Sequence, residues 1–338
     1  MGTMQHVPVI DFQAISRGEL STSENSKLDM ACREIGFFYL ENHGIETSTL
    51  EAVWSVTQQF FALPLEQKLL VERSERNARG FYNQELTKNI RDMKEVFDFG
   101  HKPVAHLADH HPDNQTHDGW NQWPEGELAE PFRSVLWDYY ESCHLIALKL
   151  LQTICTNLGS LPDTLAADFD PVHSSFLRLN YYPLDDPLSN DEVSPASLPG
   201  RLGIQHHTDA GALTLLLQDE VGGLEVLQDD RWIQVEPKPG TLVINIGDIV
   251  QVWSNDQYRA PLHRVAASTS AERYSLPYFF NPAYSASYAP LESLLNHASA
   301  ANYRPINWGH FRKERQHGDY GDYGSEIQIA NFRVNHTK

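Results

Sequence analysis

From residue 176 onward the chain is a succession of short apolar runs cut by turn residues. Residues 176–182, 213–217, 224–227, 232–235, 242–246 and 274–280 are rich in β-branched and aromatic side chains. Gly222-Gly223, Asp229-Asp230 and Pro239-Gly240 separate several of them. Such runs are too short for stable helices and suit strands, and many strands at close spacing predict a sandwich or barrel. Upstream the pattern differs. Residues 7–12 and 36–40 read as strands, whereas 27–35, 47–61 and 132–158 carry helical periodicity. Pro64 and Gly159 follow the ends of the last two. Residues 76–131 read as loop, rich in Gly, Asn, Asp, Pro and His. The tail from Pro305, with Trp308, Phe311, Arg312 and Arg315, reads as a helix leading into a turn-rich Gly-Asp-Tyr repeat at 318–324. The expected organisation is a mixed, largely helical subdomain at 1–160 packed as one unit with a β core at 161–338 that ends in a helix.

Charge limits the partners. Of 338 residues, 26 are Lys or Arg and 45 are Asp or Glu, a formal net charge of −19. An acid excess disfavours nucleic acid, whose phosphates need clustered cations, and argues against docking on anionic membranes. No run of ~18 apolar residues is present to span a bilayer, and the N-terminus lacks a basic and then apolar leader. Cys32, Cys143 and Cys155 form neither a disulfide framework nor a thiolate zinc motif. A cytoplasmic protein acting on a small molecule is the expectation; oligomeric state is not legible.

Sixteen histidines turn attention to imidazole chemistry. Most have no spacing that forces a shared face: His101, His106, His110, His111, His117, His297, His317 and His336 receive no role. His207-Thr208-Asp209 differs. If residues 204–217 approach a strand, His207 and Asp209 project from one face while His206 and Thr208 point away. A second imidazole from His263 would complete a two-His, one-carboxylate face. Such a face supplies one negative charge to Fe(II) and leaves coordination positions open. By itself an HxD pair is common in a His-rich chain.

Its neighbours sharpen the reading. Arg273 and Ser275 share a strand face, and an inward Arg in a β core is costly unless it meets an anion, which its planar fork suits. A buried ion pair with Asp or Glu is the alternative. Asn180 and Tyr182 likewise share a face, able to bind a carboxylate or metal ligand or simply to pack with satisfied polar tips.

The combined set of His207, Asp209, His263, Arg273, Ser275, Asn180 and Tyr182 resembles the non-haem Fe(II), 2-oxoglutarate-dependent oxygenases, in particular the isopenicillin N synthase-like branch. Further segments carry that resemblance along the chain: residues 7–11 (VPVID), 36–45 (GFFYLENHGI), 60–64 (FFALP), 79–82 (RGFY), 94–98 (KEVFD) and 121–124 (NQWP). The resemblance implies a mainly β fold with flanking helices, its core a distorted double-stranded β-helix or jelly roll. It implies that His207, Asp209 and His263 hold Fe(II). 2-Oxoglutarate would chelate the iron while its C5 carboxylate meets Arg273 and Ser275, and Tyr182 and Asn180 would orient it. O2 would complete the set, with ascorbate a candidate reductant. The implied reaction releases succinate and CO2 and oxidises a C–H of a metabolite, by hydroxylation as the default, with desaturation, demethylation or ring closure open to the same oxidant. Arg79, Phe81, Tyr82, Asn83, Thr214, Phe280 and Asn281 occupy family-like positions around a substrate mouth. For Phe280 core packing, and for Arg79 pairing with a surface acid, remain open. Two other readings stand beside this one: an Fe(II) oxidase of the same fold that does not use 2-oxoglutarate, and a non-catalytic binding protein.

Overall fold

The computed structural model describes residues 6–17, 23–74, 76–87, 90–100, 118–184, 202–268, 270–295, 300–317 and 327–334. The 318–324 repeat and histidines 101, 106, 110, 111, 117, 297 and 336 lie outside these residues.

β1 (Val9–Asp11) runs into α1 (Phe12–Ser16), whose first turn is capped by the Asp11 carboxylate accepting the Gln13 N–H. α2 (Ser23–Glu34) buries Leu28, Ala31 and Cys32, and after it comes β2 (Phe37–Glu41). α3 (Thr47–Phe61) buries Val53, Val56, Phe60 and Phe61 and ends ahead of Pro64; α4 (Leu65–Leu69) is one short turn beyond. β3 (Gly80–Tyr82), β4 (Leu86–Thr87), β5 (Ile90–Arg91) and β6 (Glu95–Gly100) then occupy part of the stretch expected to be loop. That expectation is corrected here: its turn-forming composition hid two short runs, around Phe81 and at 96–99, that pair into a sheet.

α5 (Ala129–Asn157) is the longest helix. It stops where Gly159 adopts φ +76° while the N–H groups of Gly159 and Ser160 donate to the carbonyls of Thr156 and Cys155, a Schellman arrangement. The strands that follow are β7 (Phe176–Tyr182), β8 (Leu202–His207), β9 (Leu213–Gln218), β10 (Leu224–Gln228), β11 (Arg231–Gln234) and β12 (Leu242–Ile246). α6 (Asp248–Trp253), β13 (His263–Ala266), β14 (Arg273–Phe280), β15 (Ser287–Tyr288), β16 (Ile306–Asn307) and α7 (Trp308–His317) complete the order.

Two sheets face each other. The larger has eight strands in the order β1-β2-β12-β9-β14-β7-β6-β3, and the smaller has four, β11-β10-β13-β8. Four strands of the larger sheet thus come from the first 160 residues, so the N-terminal part is less purely helical than its periodicity suggested. Alternation decides what each face of that sheet buries. Leu177, Leu179, Leu213, Leu215, Ile244, Ile246, Leu276, Tyr278 and Phe280 share one core with Phe132, Leu136, Cys143 and Leu150 of α5. Burial of each aliphatic side chain there stabilises by ~1.5–3 kcal/mol. The opposite face presents Tyr182 and Val243 to Leu224, Val226 and Val265 of the smaller sheet. Between the sheets lies the cavity described next. Among the described residues no helix is long and apolar enough to cross a membrane.

Candidate active site

His207 ends β8 and His263 begins β13, and register makes them direct cross-strand partners in the smaller sheet. Asp209 stands two residues further, in the turn to β9. That turn is pinned from below by the start of α6. The N–H groups of Gly247, Asp248 and Ile249 donate to the carbonyls of Ala212, Asp209 and Gly211 at 2.8, 2.7 and 3.2 Å. A Cβ on Gly247 would sit 2.2 Å from the Gly211 carbonyl oxygen, so only glycine admits this approach.

Nε2 of His207 and Nε2 of His263 each lie 3.6 Å from Oδ1 of Asp209. The imidazole centroids are 4.4 Å apart, and the three donor atoms fall within 4.8 Å of one another. The tautomers follow from their partners. Nδ1 of His207 is 2.8 Å from the Gln205 carbonyl and Nδ1 of His263 is 3.1 Å from the Pro261 carbonyl. A carbonyl only accepts, so each Nδ1 carries a proton and Nε2 is the atom left to face a metal. Asp209 is oriented too: Asn245 Nδ2 and Thr214 Oγ1 donate to its Oδ2 at 2.7 and 2.5 Å, leaving Oδ1 to face the imidazoles. Burial alone would raise the Asp209 pKa. The imidazoles of His263 and His207, with the two hydrogen bonds, outweigh it and hold the carboxyl below its ordinary range. Burial, and then the proximity of His263, pushes His207 down to about 3, so it stands neutral at pH 7.

The larger sheet supplies the facing wall. Arg273 lies opposite Tyr182, and Ser275 opposite Asn180, in the β14–β7 register. Arg273 is 1% exposed, donates from Nε to the Gly222 carbonyl at 2.6 Å and from Nη1 to Ser275 Oγ at 3.2 Å, and lies 4.8 Å over the Tyr182 ring. Asn180 Nδ2 donates to the same Ser275 Oγ at 3.3 Å, while its Oδ1 is buried with no hydrogen-bond partner among the described residues. Among those residues Arg273 makes no ion pair with a carboxylate. Both constellations open onto one cavity of about 480 Å³.

The expected substrate positions divide. Thr214 and Asn281 line that cavity. Arg79, Phe81, Tyr82, Asn83 and Phe280 do not, and each has a physical reason where the contacts are visible. Arg79 is buried against Asp118, its Nη2 2.9 Å from Oδ2, so its acid is internal rather than on the surface. Phe81 belongs to the helix-side core beside Phe60, at 6.3 Å between centroids. Tyr82 lies beneath the Arg73 guanidinium at 5.7 Å, and Asn83 is buried away from the cavity. Phe280 stacks on Phe169 at 4.3 Å, because residues 273, 275, 277 and 279 take the cavity face of β14 and 280 takes the other. The cavity has further lining residues to which the sequence reading assigned no role: Glu85, Lys94, Arg178, Asn245, Arg312 and Arg315. Of these only Asn245 left a local signal, a polar residue amid the apolar alternation of 242–246.

Similarity to known proteins agrees with this geometry. The model of the 2OG-Fe(II) oxygenase superfamily matches residues 173–282, and that of the non-haem dioxygenase in morphine synthesis N-terminal region matches 7–126. Protein DMR6-LIKE OXYGENASE 1 of Arabidopsis thaliana is 33% identical over 304 residues, 88% of this chain and 79% of that protein. The chain belongs to the 2OG-Fe(II) oxygenase superfamily. A homoarginine-6-hydroxylase of Glycine max is 32% identical, covering 90% of this oxygenase and 88% of the relative. The crystal structure of JOX2 in complex with 2OG, Fe and JA superposes with a TM-score of 0.79 at 27% identity, over 97% of this chain and 89% of that one. The two facing sheets are the double-stranded β-helix of the superfamily. This oxygenase is an Fe(II)- and 2-oxoglutarate-dependent dioxygenase that oxidises small molecules, with O2 as oxidant. Its donor set fits the metal: two imidazole Nε2 atoms and one carboxylate oxygen converge on one side, with no thiolate among them. The buried guanidinium of Arg273 fits the distal carboxylate of the cosubstrate.

Proposed function

We propose that His207, Asp209 and His263 hold Fe(II), and that Arg273 and Ser275 receive the C5 carboxylate of 2-oxoglutarate. Tyr182 fixes the plane of the Arg273 guanidinium, and Asn180 orients Ser275 through its amide. The observation that carries this reading is the register: His207 pairs with His263 in one sheet, Arg273 with Tyr182 and Ser275 with Asn180 in the other, across one cavity. Bound iron with 2-oxoglutarate and O2 supplies the oxidising power, 2-oxoglutarate leaving as succinate and CO2 while a substrate C–H is oxidised. The chain contributes position and exclusion. Two imidazole Nε2 donors and one carboxylate would leave bound Fe(II) with one positive charge, which favours an anionic chelating ligand. Thr214 and Asn245 keep Oδ1 of Asp209 turned inward. Arg273, buried in the sheet, binds a carboxylate far more strongly than it would in water.

Hydroxylation of a small metabolite is the reaction proposed, in keeping with the hydroxylase among the relatives. The assay is succinate release with Fe(II), ascorbate and 2-oxoglutarate. Arg273→Gln should raise the KM for 2-oxoglutarate by about a hundredfold, the loss of a charge-assisted buried pair, with a much smaller effect on Fe(II) affinity. An unchanged KM for 2-oxoglutarate would remove Arg273 from the cosubstrate site.

A further inference from the structure

The cavity continues past the triad to the inner face of α7, and the residues there bear on the substrate. Trp308, Arg312 and Arg315 all line it. Their i, i+4, i+7 spacing is what one helix face requires. Arg315 Nη2 donates at 3.4 Å to the carbonyl of Thr208, the residue between two of the triad's side chains, and Nη1 donates at 3.2 Å to the Ile327 carbonyl. Its guanidinium is therefore anchored within a residue of the metal site. Arg312 lies 5.3 Å over the Phe176 ring, with Nε 3.6 Å from Asp118 Oδ1. Phe176 in turn stacks on Phe279 at 4.7 Å, and the Trp308 indole N–H is used by Ser174 Oγ at 2.7 Å. What these rings offer the cavity is apolar surface.

Arg178, which also lines the cavity, plays a different part. Arg178 gives two hydrogen bonds to Glu85 and two to Asp98, all 2.8 Å, so its fork is committed to internal carboxylates. Both guanidiniums of α7 line the same cavity as the triad, Arg312 beside Asp118 and Arg315 on two backbone carbonyls.

Building on the proposed iron and cosubstrate sites, we infer that the substrate is a small acid. Its oxyanion is held by Arg312 and Arg315, and its apolar body lies against Phe176, Phe279 and Trp308. Planar guanidinium forks match a carboxylate or a phosphate ester, and an anchor one residue from His207 and Asp209 would bring carbons near the oxyanion to the iron. Arg312 and Arg315 are in this account specificity-determining residues.

The test uses the Fe(II)-loaded protein with 2-oxoglutarate and follows succinate release. The probes are straight-chain and aryl-substituted monocarboxylic acids, their matched primary amides, and matched alkyl phosphates. Acids should accelerate succinate release over the substrate-free rate, and the amide of the best acid should need about tenfold more or fail. Arg315→Gln should raise the half-saturating concentration of that acid about tenfold while moving the amide's little. Alkyl phosphates surpassing the acids would support the oxyanion site and name phosphate as its source. Amides matching acids, or Arg315→Gln and Arg312→Gln shifting acid and amide equally, would overturn it. If both variants fail to fold, the acid–amide comparison on the unaltered protein decides alone. Consumption of 2-oxoglutarate that no acid or phosphate accelerates overturns this inference only. Absence of any 2-oxoglutarate binding or consumption overturns the cosubstrate reading beneath it.

Discussion

At the scale of single residues, the metal-facing atom of each proposed ligand is selected by what its other atom does. Backbone carbonyls of Gln205 and Pro261 occupy the two Nδ1 protons, and Asn245 with Thr214 occupies Oδ2 of Asp209. Removing such a partner frees the ligand to rotate and costs metal affinity. Asn245→Ala should weaken Fe(II) binding about ten- to a hundredfold in a direct titration. Thr214→Val should weaken it in the same direction, and Thr214→Ser, which keeps the donor, should restore it. Equal Fe(II) affinity in Asn245→Ala and the unaltered protein would show that Asp209 is held by the turn alone. HxD spacing was legible in the sequence because side-chain alternation is a local property. Thr214 was noticed there as a substrate contact, and only the folded turn reveals that its hydroxyl serves Asp209. Phe280 shows the opposite limit, since a one-residue difference in face separates cavity from core.

At the scale of elements, Glu85, Lys94 and Arg178 on the cavity wall belong to a charge network on and around β6 and β7. Glu85 meets Arg73, Lys94 and Arg178 at 3.0, 2.8 and 2.8 Å. Asp98 meets Arg178 at 2.8 Å and also pairs with Arg73, and Lys94 reaches Asp92 at 3.0 Å. Burial would raise the Glu85 carboxyl, but Arg178, Lys94 and Arg73 hold it well below its usual range; Arg178 and Arg73 likewise outweigh burial at Asp98 and lower it. A folded pKa below the unfolded value means stabilisation is complete above about pH 4.5 and is lost as pH falls further. Glu85→Gln should destabilise the fold by about 3 kcal/mol at pH 7, because three buried cations lose their shared carboxylate. Its stability should then decline less than that of the unaltered protein between about pH 4.5 and 3 in thermal unfolding. Parallel acid limbs in the two proteins would contradict this role. None of the network was legible beforehand. Its links to Arg178 span 80 and 93 residues, and β6 sits in a stretch whose Gly and Asp content argued for loop.

At the scale of the whole molecule, helices cover one face of the larger sheet and the smaller sheet covers the other, leaving a cavity where register places chemistry on both walls. A strand-rich sandwich or barrel was legible because strand runs and turn residues are short-range signals, its jelly-roll form came from the family resemblance, and the helices at 47–61 and 132–158 were legible because Pro64 and Gly159 mark their ends. The contribution of β3 and β6 to the main sheet was not, since sheet membership depends on partners distant in the chain. What the account requires above all is that the His207, Asp209 and His263 face holds the iron that consumes 2-oxoglutarate. The most direct measurement is succinate formed under air from Fe(II) and 2-oxoglutarate by the unaltered protein and by Asp209→Ala, with folding of both checked by thermal unfolding. The account predicts succinate from the first and less than about one hundredth of it from the second, both remaining folded. A folded Asp209→Ala protein that releases succinate at the unaltered rate would contradict it.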